Sequence, residues 1–312
     1  METISLAMND IGKYIIQEQD SEPSIKYLAA QKQIYKNGKV TFAFQVLIAV
    51  PIPILISILT PYFEKNEQNL VWVFVLYSIL ATFLEFFCEE KAMKQKKLAA
   101  SIQEKFDTNV LMINWNRTLI PNKPDDELVF RYYNKHVKGN KLDKLYGWYS
   151  NELANVKTNI ATLLCQRTNS SYDFTLRKRY KNTILLLAGL TFLILFVVAG
   201  EFKITLPIFI SSVIFPSLPV FVLAYKQISS NNEAIENLKE IKDLIESELE
   251  SLCINNSIDS HLIRQIQDKI YLKRINSPLL PEWAYKFLRQ NLENEMHFSV
   301  KEKVRELENN CA

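Results

Sequence analysis

The segment 165–180, CQRTNSSYDFTLRKRY, contains polar side chains whose spacing suits ligand binding. If this segment is helical, Gln166, Asn169, Asp173 and Arg177 lie on one stripe, at positions i, i+3, i+7 and i+11. An arginine fork can bind a phosphate through two hydrogen bonds, and Gln and Asn amides can read the edge of a base. The stripe therefore predicts a surface that binds a phosphate and a nucleobase. An ordinary i,i+4 ion pair between Asp173 and Arg177 explains the same spacing.

Aromatic side chains lie upstream of this stripe. The stretch LYGWYS, 145–150, contains Tyr146, Trp148 and Tyr149. Clustered rings usually belong to a hydrophobic core, but they can also stack on nucleobases. Both interpretations, a core cluster and a stacking platform, are compatible with the sequence.

Motifs for other chemistry are missing from the sequence. The six glycines form neither a GxGxxG nor a GxxxxGK loop, and no GxSxG motif occurs. The net charge of +3 is too small to indicate binding of DNA or RNA. The histidines and cysteines show no metal-ligand spacing and no CxxC pair: His136, His261, His297, Cys88, Cys165, Cys253 and Cys311. The sequence thus predicts no enzyme, no metal and no cofactor.

The sequence also contains four long apolar runs, two before and two after the segments 145–150 and 165–180. A membrane-spanning helix needs about 20 apolar residues. The runs are Val40–Thr60, Leu70–Cys88, Thr183–Gly200 and Thr205–Tyr225, and Glu85 is the one charge within them. The links 61–69 and 201–204 are too short to hold a domain, so each joins a hairpin. The predicted fold is mainly α, with four transmembrane helices in two hairpins and helical cytoplasmic domains.

Basic residues flank the outer ends of both hairpins. Lysines precede the first run and follow the second, and the segment RKRYK, 177–181, precedes the third. By the positive-inside rule, both termini and the segment between the hairpins are cytoplasmic. The predicted divisions are a cytoplasmic N-terminal helix (1–39), hairpin 1 (40–88), a central cytoplasmic domain (89–182), hairpin 2 (183–225) and a C-terminal helical region (226–312).

Local patterns predict the form of the cytoplasmic parts. The segment 89–106 should continue the second span as a charged helix, and 156–181 should run as one helix into the third span. The segment NVLMINWN, 109–116, is strand-like, and PNKPDDE, 121–127, should turn and start a helix. The segment 277–296 begins with two prolines and then has a helical pattern.

An apolar stripe runs along 235–252, and it has two possible partners. Its spacing of 3, 4, 4 and 3 residues marks one face of a helix. The stripe could pack against another helix of the same chain, or it could mediate self-association between chains. Its members are Leu238, Ile241, Ile245, Leu249 and Leu252.

Prolines within the apolar runs are candidates for gating. Pro51 and Pro53 interrupt the hydrogen-bond ladder of the first run, and Pro216 and Pro219 interrupt that of the fourth. Four helices would close on themselves, so a wide pore would need several chains. A homo-oligomer is therefore expected.

Several of these residues also carry a family resemblance. The chain resembles the SMODS-associated four-transmembrane effectors, pore-forming proteins of bacterial CBASS anti-phage systems. The matching positions are Trp148–Tyr149, Cys165–Gln166–Arg167, Asn169, Asp173, Leu176, Arg177, Tyr180, Pro281–Glu282–Trp283, Tyr285 and Arg289. Tyr172 stands where many relatives are expected to have tryptophan, so the aromatic ring is kept.

The resemblance implies a function that composition does not show. A CD-NTase cyclase would make a cyclic di- or trinucleotide, the cytoplasmic part would bind it, and the bacterial inner membrane would be permeabilised. Side-chain chemistry selects the ligand-binding candidates Trp148, Tyr149, Gln166, Arg167, Asn169, Tyr172 and Arg177, with Arg264 and Arg274 as additions. A constitutive channel or transporter and a membrane scaffold that recruits a cytosolic partner are the alternatives.

Overall fold

The computed structural model describes residues 11–65, 71–139, 141–156, 159–201, 205–255, 258–288 and 292–310. These residues are mainly helical and contain no β-strand. Their helices are α1 (Ile11–Glu18), α2 (Glu22–Ala49), α3 (Pro51–Lys65), α4 (Val71–Val110), α5 (Asp126–Val137), α6 (Asn159–Glu201), α7 (Phe215–Asn255), α8 (Ser260–Asn276), α9 (Glu282–Leu288) and α10 (Leu292–Asn310). Short 3-10 helices span Asp143–Leu145 and Asn151–Asn155, and a single turn and a π-helical segment (Phe209–Ile214) precede α7.

The first predicted span consists of two helices that meet at Val50. The helix α2 begins after Ser21, whose hydroxyl accepts a hydrogen bond from the amide of Ser24 at 3.4 Å. It ends where Pro51 follows, because the residue before a proline avoids the helical conformation. Val50 accordingly has φ −120° and ψ −70°, and α3 starts at Pro51. The run 40–60 is thus interrupted near its middle.

Three long helices connect charged and apolar segments without a break. The helix α4 is 40 residues long, so the predicted continuation of the second run into a charged helix is confirmed. The helix α6 has 43 residues and carries the third apolar run at its end, as predicted. The helix α7 has 41 residues and begins with the last part of the fourth run. Such a continuous helix can transmit movement from one end to the other.

The predicted strand at 109–116 is wrong. The helix α4 ends at Val110, and the next residues fold back on its last turn, with the amide of Leu111 bonded to Asp107 O at 2.8 Å. Met112 adopts a left-handed conformation, φ 54°, which closes helix ends. Leu111 is 2% and Ile113 is 9% exposed, so the apolar pattern arises because this helix end is packed in the core.

The start of α5 is as predicted. Asp125 is the extended residue before the helix, and acidic residues occupy the first turn, where the helix dipole favours them. The Lys105 ammonium holds this turn on α4, because it donates to Pro124 O at 2.9 Å and to Asp126 Oδ1 at 2.6 Å.

The apolar stripe of α7 packs within the chain. Its described members are at most 1% exposed. Of these, Ile241, Ile245 and Leu249 share one core with residues of α1, α6, α8 and α10. The interpretation as intramolecular packing is therefore confirmed for Leu238, Ile241, Ile245 and Leu249. The side chain of Leu252 lies outside the described side chains.

The described part of the chain contains two helical stretches that are long and apolar enough to cross a membrane. They are Glu22–Ile56, which consists of α2 and the start of α3 and includes the break at Val50, and Asn159–Glu201, which is α6; their mean hydropathies are 2.0 and 2.6 over their apolar windows. Most of the apolar window of Asn159–Glu201 is uncovered, since 11% of it is buried. Leu186 and Phe196 are 63% and 60% exposed there, as expected for a surface that lipid covers.

Candidate functional site

Four of the predicted ligand-binding residues form one aromatic cluster. Gly147, whose φ of 63° suits glycine, turns the chain so that Trp148 and Tyr149 approach α6. Trp148 Nε1 donates to Asn169 Oδ1 at 3.2 Å, and Asn169 Nδ2 donates to the Tyr149 hydroxyl at 3.0 Å. The Trp148 ring meets Tyr172 edge-on, with centroids 6.0 Å apart. The structure thus brings together residues that sequence reasoning had combined only by chemistry.

The polar groups of this cluster already have partners inside the chain. Tyr149 is 1% exposed, and burial raises the pKa of its hydroxyl well above the ordinary value. Gln19 holds its backbone, because the Tyr149 amide donates to Gln19 Oε1 at 2.7 Å and Gln19 Nε2 donates to Tyr149 O at 3.3 Å. A nucleobase would therefore have to displace Trp148 from Asn169 before it could use that amide. The stacking role of the cluster stays a prediction.

A second group surrounds two buried carboxylates on α4, Glu104 and Asp107, which we call the acidic pair. They are 0% and 1% exposed. Gln267 Nε2 donates to Glu104 Oε2 at 2.8 Å and to Asp107 Oδ2 at 2.9 Å. Gln166 Nε2 donates to Gln267 Oε1 at 3.2 Å, so this predicted residue connects α6 to the acidic pair through α8.

Arginines neutralise the acidic pair. Arg264 contacts Glu104 Oε1 at 2.7 Å and Asp268 Oδ1 at 2.8 Å, while Arg274 contacts Asp107 Oδ2 at 2.5 Å. Burial raises the pKa of Glu104, and the charge of Asp107 raises it further, whereas Arg264 opposes the shift. Two arginines predicted to bind a ligand thus lie in a network that ties α8 to α4.

The remaining stripe residue, Arg177, belongs to what we call the cation cluster, formed by Lys96, Arg177 and Lys273 around Asp173. Arg177 Nε lies 3.0 Å from Asp173 Oδ2, and Lys273 Nζ contacts the same oxygen. Arg177 also donates to Asn231 Oδ1 at 3.1 Å and to the carbonyl of Pro278. The i,i+4 pair expected from the spacing is present, but it lies in the interior and has partners from α7, α8 and the segment after α8.

Positive charge exceeds negative charge in the cation cluster. Two of its three cations, Arg177 and Lys273, contact the one carboxylate, Asp173, while Lys96 Nζ donates to the carbonyl of Ser277 at 2.8 Å. Burial lowers the pKa of Lys96 to about 8, and the charges of Arg177 and Lys97 add to the shift. Burial also lowers the pKa of Arg177 to about 10. A bound anion would reduce the repulsion among these cations.

Arg167 lies apart from these groups. Its Nε contacts Glu246 Oε1 of α7 at 2.5 Å, and its guanidinium donates to Ser299 Oγ of α10 at 2.9 Å. Lys303 contacts the other oxygen of Glu246 at 3.0 Å. The nine predicted residues therefore divide among four places: the aromatic cluster, the network of the acidic pair, the cation cluster and this contact with α10.

Sequence reasoning missed the partners from distant segments. Lys96 lies in the run EEKAMKQKK, which reads as a solvated helix, and Lys273 lies in KRIN at the end of α8. Neither position has a motif that marks burial. Packing of α8 against α6 and α4 brings Lys273 to Asp173 and Lys96 to the carbonyl of Ser277.

The gating prolines lie in the first two turns of α3 and α7. Pro51 starts α3 at the break after Val50, and Pro219 lies inside α7 shortly after the π-helical segment 209–214. Pro53 is buried in α3, and the side chain of Pro216 lies outside the described side chains. Pro51 therefore marks a break between helices, whereas Pro219 does not end α7, and the role of the four prolines in gating stays a prediction.

Comparison with known proteins places this architecture in a family. The family model described as the SMODS-associating 4TM effector domain matches residues 13–303. A Bacillus cereus (strain VD146) protein named "Probable CBASS effector molecule" is 27% identical over 292 residues, covering 92% of this chain and 96% of that protein. No solved structure matches the chain.

Proposed function

Since the chain belongs to the SMODS-associating 4TM effector family, we propose that it is a membrane effector of CBASS anti-phage defence. A cyclic oligonucleotide bound on the cytoplasmic side activates it, and the activated protein permeabilises the inner membrane without catalysing a reaction. The observation that best supports this proposal is that α4 and α6 run without a break from buried charged groups into exposed apolar segments. Ligand binding at one end can thus bias the membrane end of the same helix.

The proposed membrane part has four spans in two hairpins: 40–60, 70–88, 183–200 and 205–225. Besides the two helices already described, α4 and α7 support this arrangement through exposed apolar side chains. These include Ile79, Leu80, Phe83, Phe86 and Phe87 on α4 and Phe215, Leu218 and Val222 on α7. Such a surface in water would be costly, and lipid removes that cost. Both termini are cytoplasmic, and several chains assemble around the lesion, because four helices are too few for a pore.

The proposed ligand is a cyclic di- or trinucleotide made by a CD-NTase cyclase. Its phosphodiesters suit the cation cluster, where they would compete with Asp173 for Arg177 and Lys273. Tyr172, in the aromatic cluster, directly precedes Asp173, so rings that could stack on a base adjoin cations that could bind a phosphate. The ligand activates only if it binds the permeable state more tightly than the closed one.

The alternatives have less support. The stripe that could have recruited a partner is buried within the chain at its described positions, which removes that basis for a scaffold. A constitutive channel would need no ligand, and the surplus positive charge beside the aromatic cluster would then have no role.

Arginine variants test the proposed ligand site. Arg177→Ala leaves Asp173 paired with Lys273, so we expect insertion to persist while dye release in response to cyclic nucleotide is lost. Arg167→Ala tests the other predicted arginine of the segment. Arg305→Ala is the matched control, since Arg305 is exposed and contacts only Glu302 among its described ion pairs.

The measurement is release of trapped dye from liposomes at graded nucleotide concentrations, together with direct binding of the nucleotide. If both Arg167→Ala and Arg177→Ala respond at wild-type concentrations, the proposed site is wrong. If Arg305→Ala is also unresponsive, the losses do not report on the ligand site.

A further inference from the structure

The short helix α9 has two different faces. Ala284 is 0% exposed and packs, with Tyr285 and Leu288, against the part of α6 that includes Leu176 and Tyr180. On the opposite side, Trp283 and Phe287 are 42% and 76% exposed. They lie at i and i+4, so they share one face of the helix. Large aromatic side chains are thus presented outward by a helix that is held firmly from behind.

Both ends of α9 are held where apolar runs begin. At its start, Glu282 Oε2 contacts Lys39 Nζ at 3.0 Å, and this lysine directly precedes the run 40–60. At its end, Arg179 donates to Leu288 O at 3.0 Å, and Arg179 lies four residues before the run 183–200. The helix therefore contacts α2 at its start and α6 at its end, close to where the two apolar runs begin.

The core behind α9 reaches into the third apolar run. Ile184, the second residue of that run, packs against the same cluster as Tyr180 and Ala284. The Tyr180 ring lies 6.1 Å from the Trp283 ring. The core behind α9 thus reaches the start of the third apolar run, where the exposed apolar surface begins at Leu185, which is 62% exposed.

Basic residues are exposed on α9 and on the adjoining part of α6. Lys178 and Lys286 are exposed, and Arg179 is partly exposed and contacts Glu295 at 3.4 Å. Tryptophan and basic side chains together are typical of the membrane–water interface, where rings lie among headgroups and cations attract anionic lipids.

We propose that α9 is a membrane-surface helix. It docks on the lipid leaflet that lies next to the charged parts of α2 and α6. Its partner is a bilayer containing anionic lipid, with Trp283 and Phe287 placed at headgroup depth. The helix lies parallel to the membrane and fixes the depth of α2 and α6. The proposal requires that the protein is in a membrane, but it does not depend on activation by a nucleotide.

The test uses the full chain in liposomes of phosphatidylcholine and phosphatidylglycerol, in which some lipids carry bromine near the headgroup end of the acyl chains. Bromine quenches tryptophan fluorescence on contact. The chain has four tryptophans. If Trp283 contacts the lipid, the emission that bromolipid quenches should be smaller in Trp283→Phe than in the wild type, by up to the contribution of one of the four tryptophans. Trp115→Phe is the control, because Trp115 Nε1 is bonded to Ile120 O within the chain and its loss should not reduce the quenched emission.

A gain of signal complements this loss. Phe287→Trp should add emission that the bromolipid quenches and that acrylamide in the water reaches poorly. Equal bromolipid quenching in the wild type and Trp283→Phe, with no quenched emission gained in Phe287→Trp, would overturn the proposal. If the added tryptophan were shielded from both quenchers, a second copy of the chain would cover this face instead, and the proposal would also fail. Neither failure would alter the nucleotide response, so the proposed function is tested separately.

Discussion

Replacing Arg274 should expose how strongly the acidic pair depends on its arginines. Asp107 is 1% exposed, and its ion pair with Arg274 is 2.5 Å long. Arg274→Met keeps much of the side-chain volume but leaves the carboxylate without its cation. Breaking a buried pair in this way costs about 3–5 kcal/mol. For a chain of this size, the melting temperature should fall by about 6–10 °C, at roughly 2 °C per kcal/mol.

A double-mutant cycle separates the pair from its surroundings. Asp107→Asn alone leaves Arg274 buried without its carboxylate and should destabilise the protein comparably. The double variant Asp107→Asn, Arg274→Met should recover most of the loss, with a coupling energy of at least about 2 kcal/mol. Arg305→Met is the control, since an exposed ion pair is worth about 0–1 kcal/mol.

The assay for the cycle is thermal unfolding in detergent, followed by tryptophan fluorescence. If Arg274→Met melts within about 1 °C of the wild type, well under the shift expected for a buried pair, the ion pair between Asp107 and Arg274 does not stabilise the fold as inferred. Additive losses in the double variant would show that the two residues do not act as a pair.

Three further predictions concern other parts of the molecule. Lys96 has a pKa of about 8 when folded against 10.5 when unfolded, so the unfolded chain binds more protons between these values and stability rises with pH across that window. From pH 7 to 9.5 the wild type should gain about 2 kcal/mol more than Lys96→Met, and equal gains in thermal unfolding would contradict the pKa shift. Gly12→Ala would place its Cβ 1.9 Å from a carbonyl oxygen of the adjacent 3-10 helix, so its melting temperature should fall sharply, whereas Gly139→Ala, with nothing within 4 Å, should melt like the wild type. Pro216→Ala combined with Pro219→Ala should change dye leakage but not nucleotide affinity, and unchanged leakage would count against gating at these prolines.

Much of the helical architecture could be predicted from local patterns. Long apolar runs joined to charged helical segments predicted α4 and α6, because such a pattern has no turn residues to end the helix. The segment 109–116 misled because the apolar residues at a buried helix end mimic a strand. The break at Val50 was foreseeable from Pro51, since proline restricts the residue before it.

Local patterns could not predict which polar and charged residues are buried or which residues they contact. Gln166, Asp173 and Arg177 were identified on one stripe, but their partners come from α7 and α8. Charged residues such as Lys96 and Glu104 normally indicate a solvated face. Their burial depends on long-range packing, for which a single sequence offers no local signal.

We propose that a cyclic oligonucleotide converts this protein from a state that leaves the membrane sealed to one that permeabilises it. The most direct test is dye release from liposomes carrying the purified full chain, with cyclic di- and trinucleotides added one at a time and each linear form as a control. We expect dye release with one cyclic compound, and no dye release with its linear form or without nucleotide. Release without any nucleotide, or no release with any cyclic compound from protein shown to be inserted and folded, would contradict it.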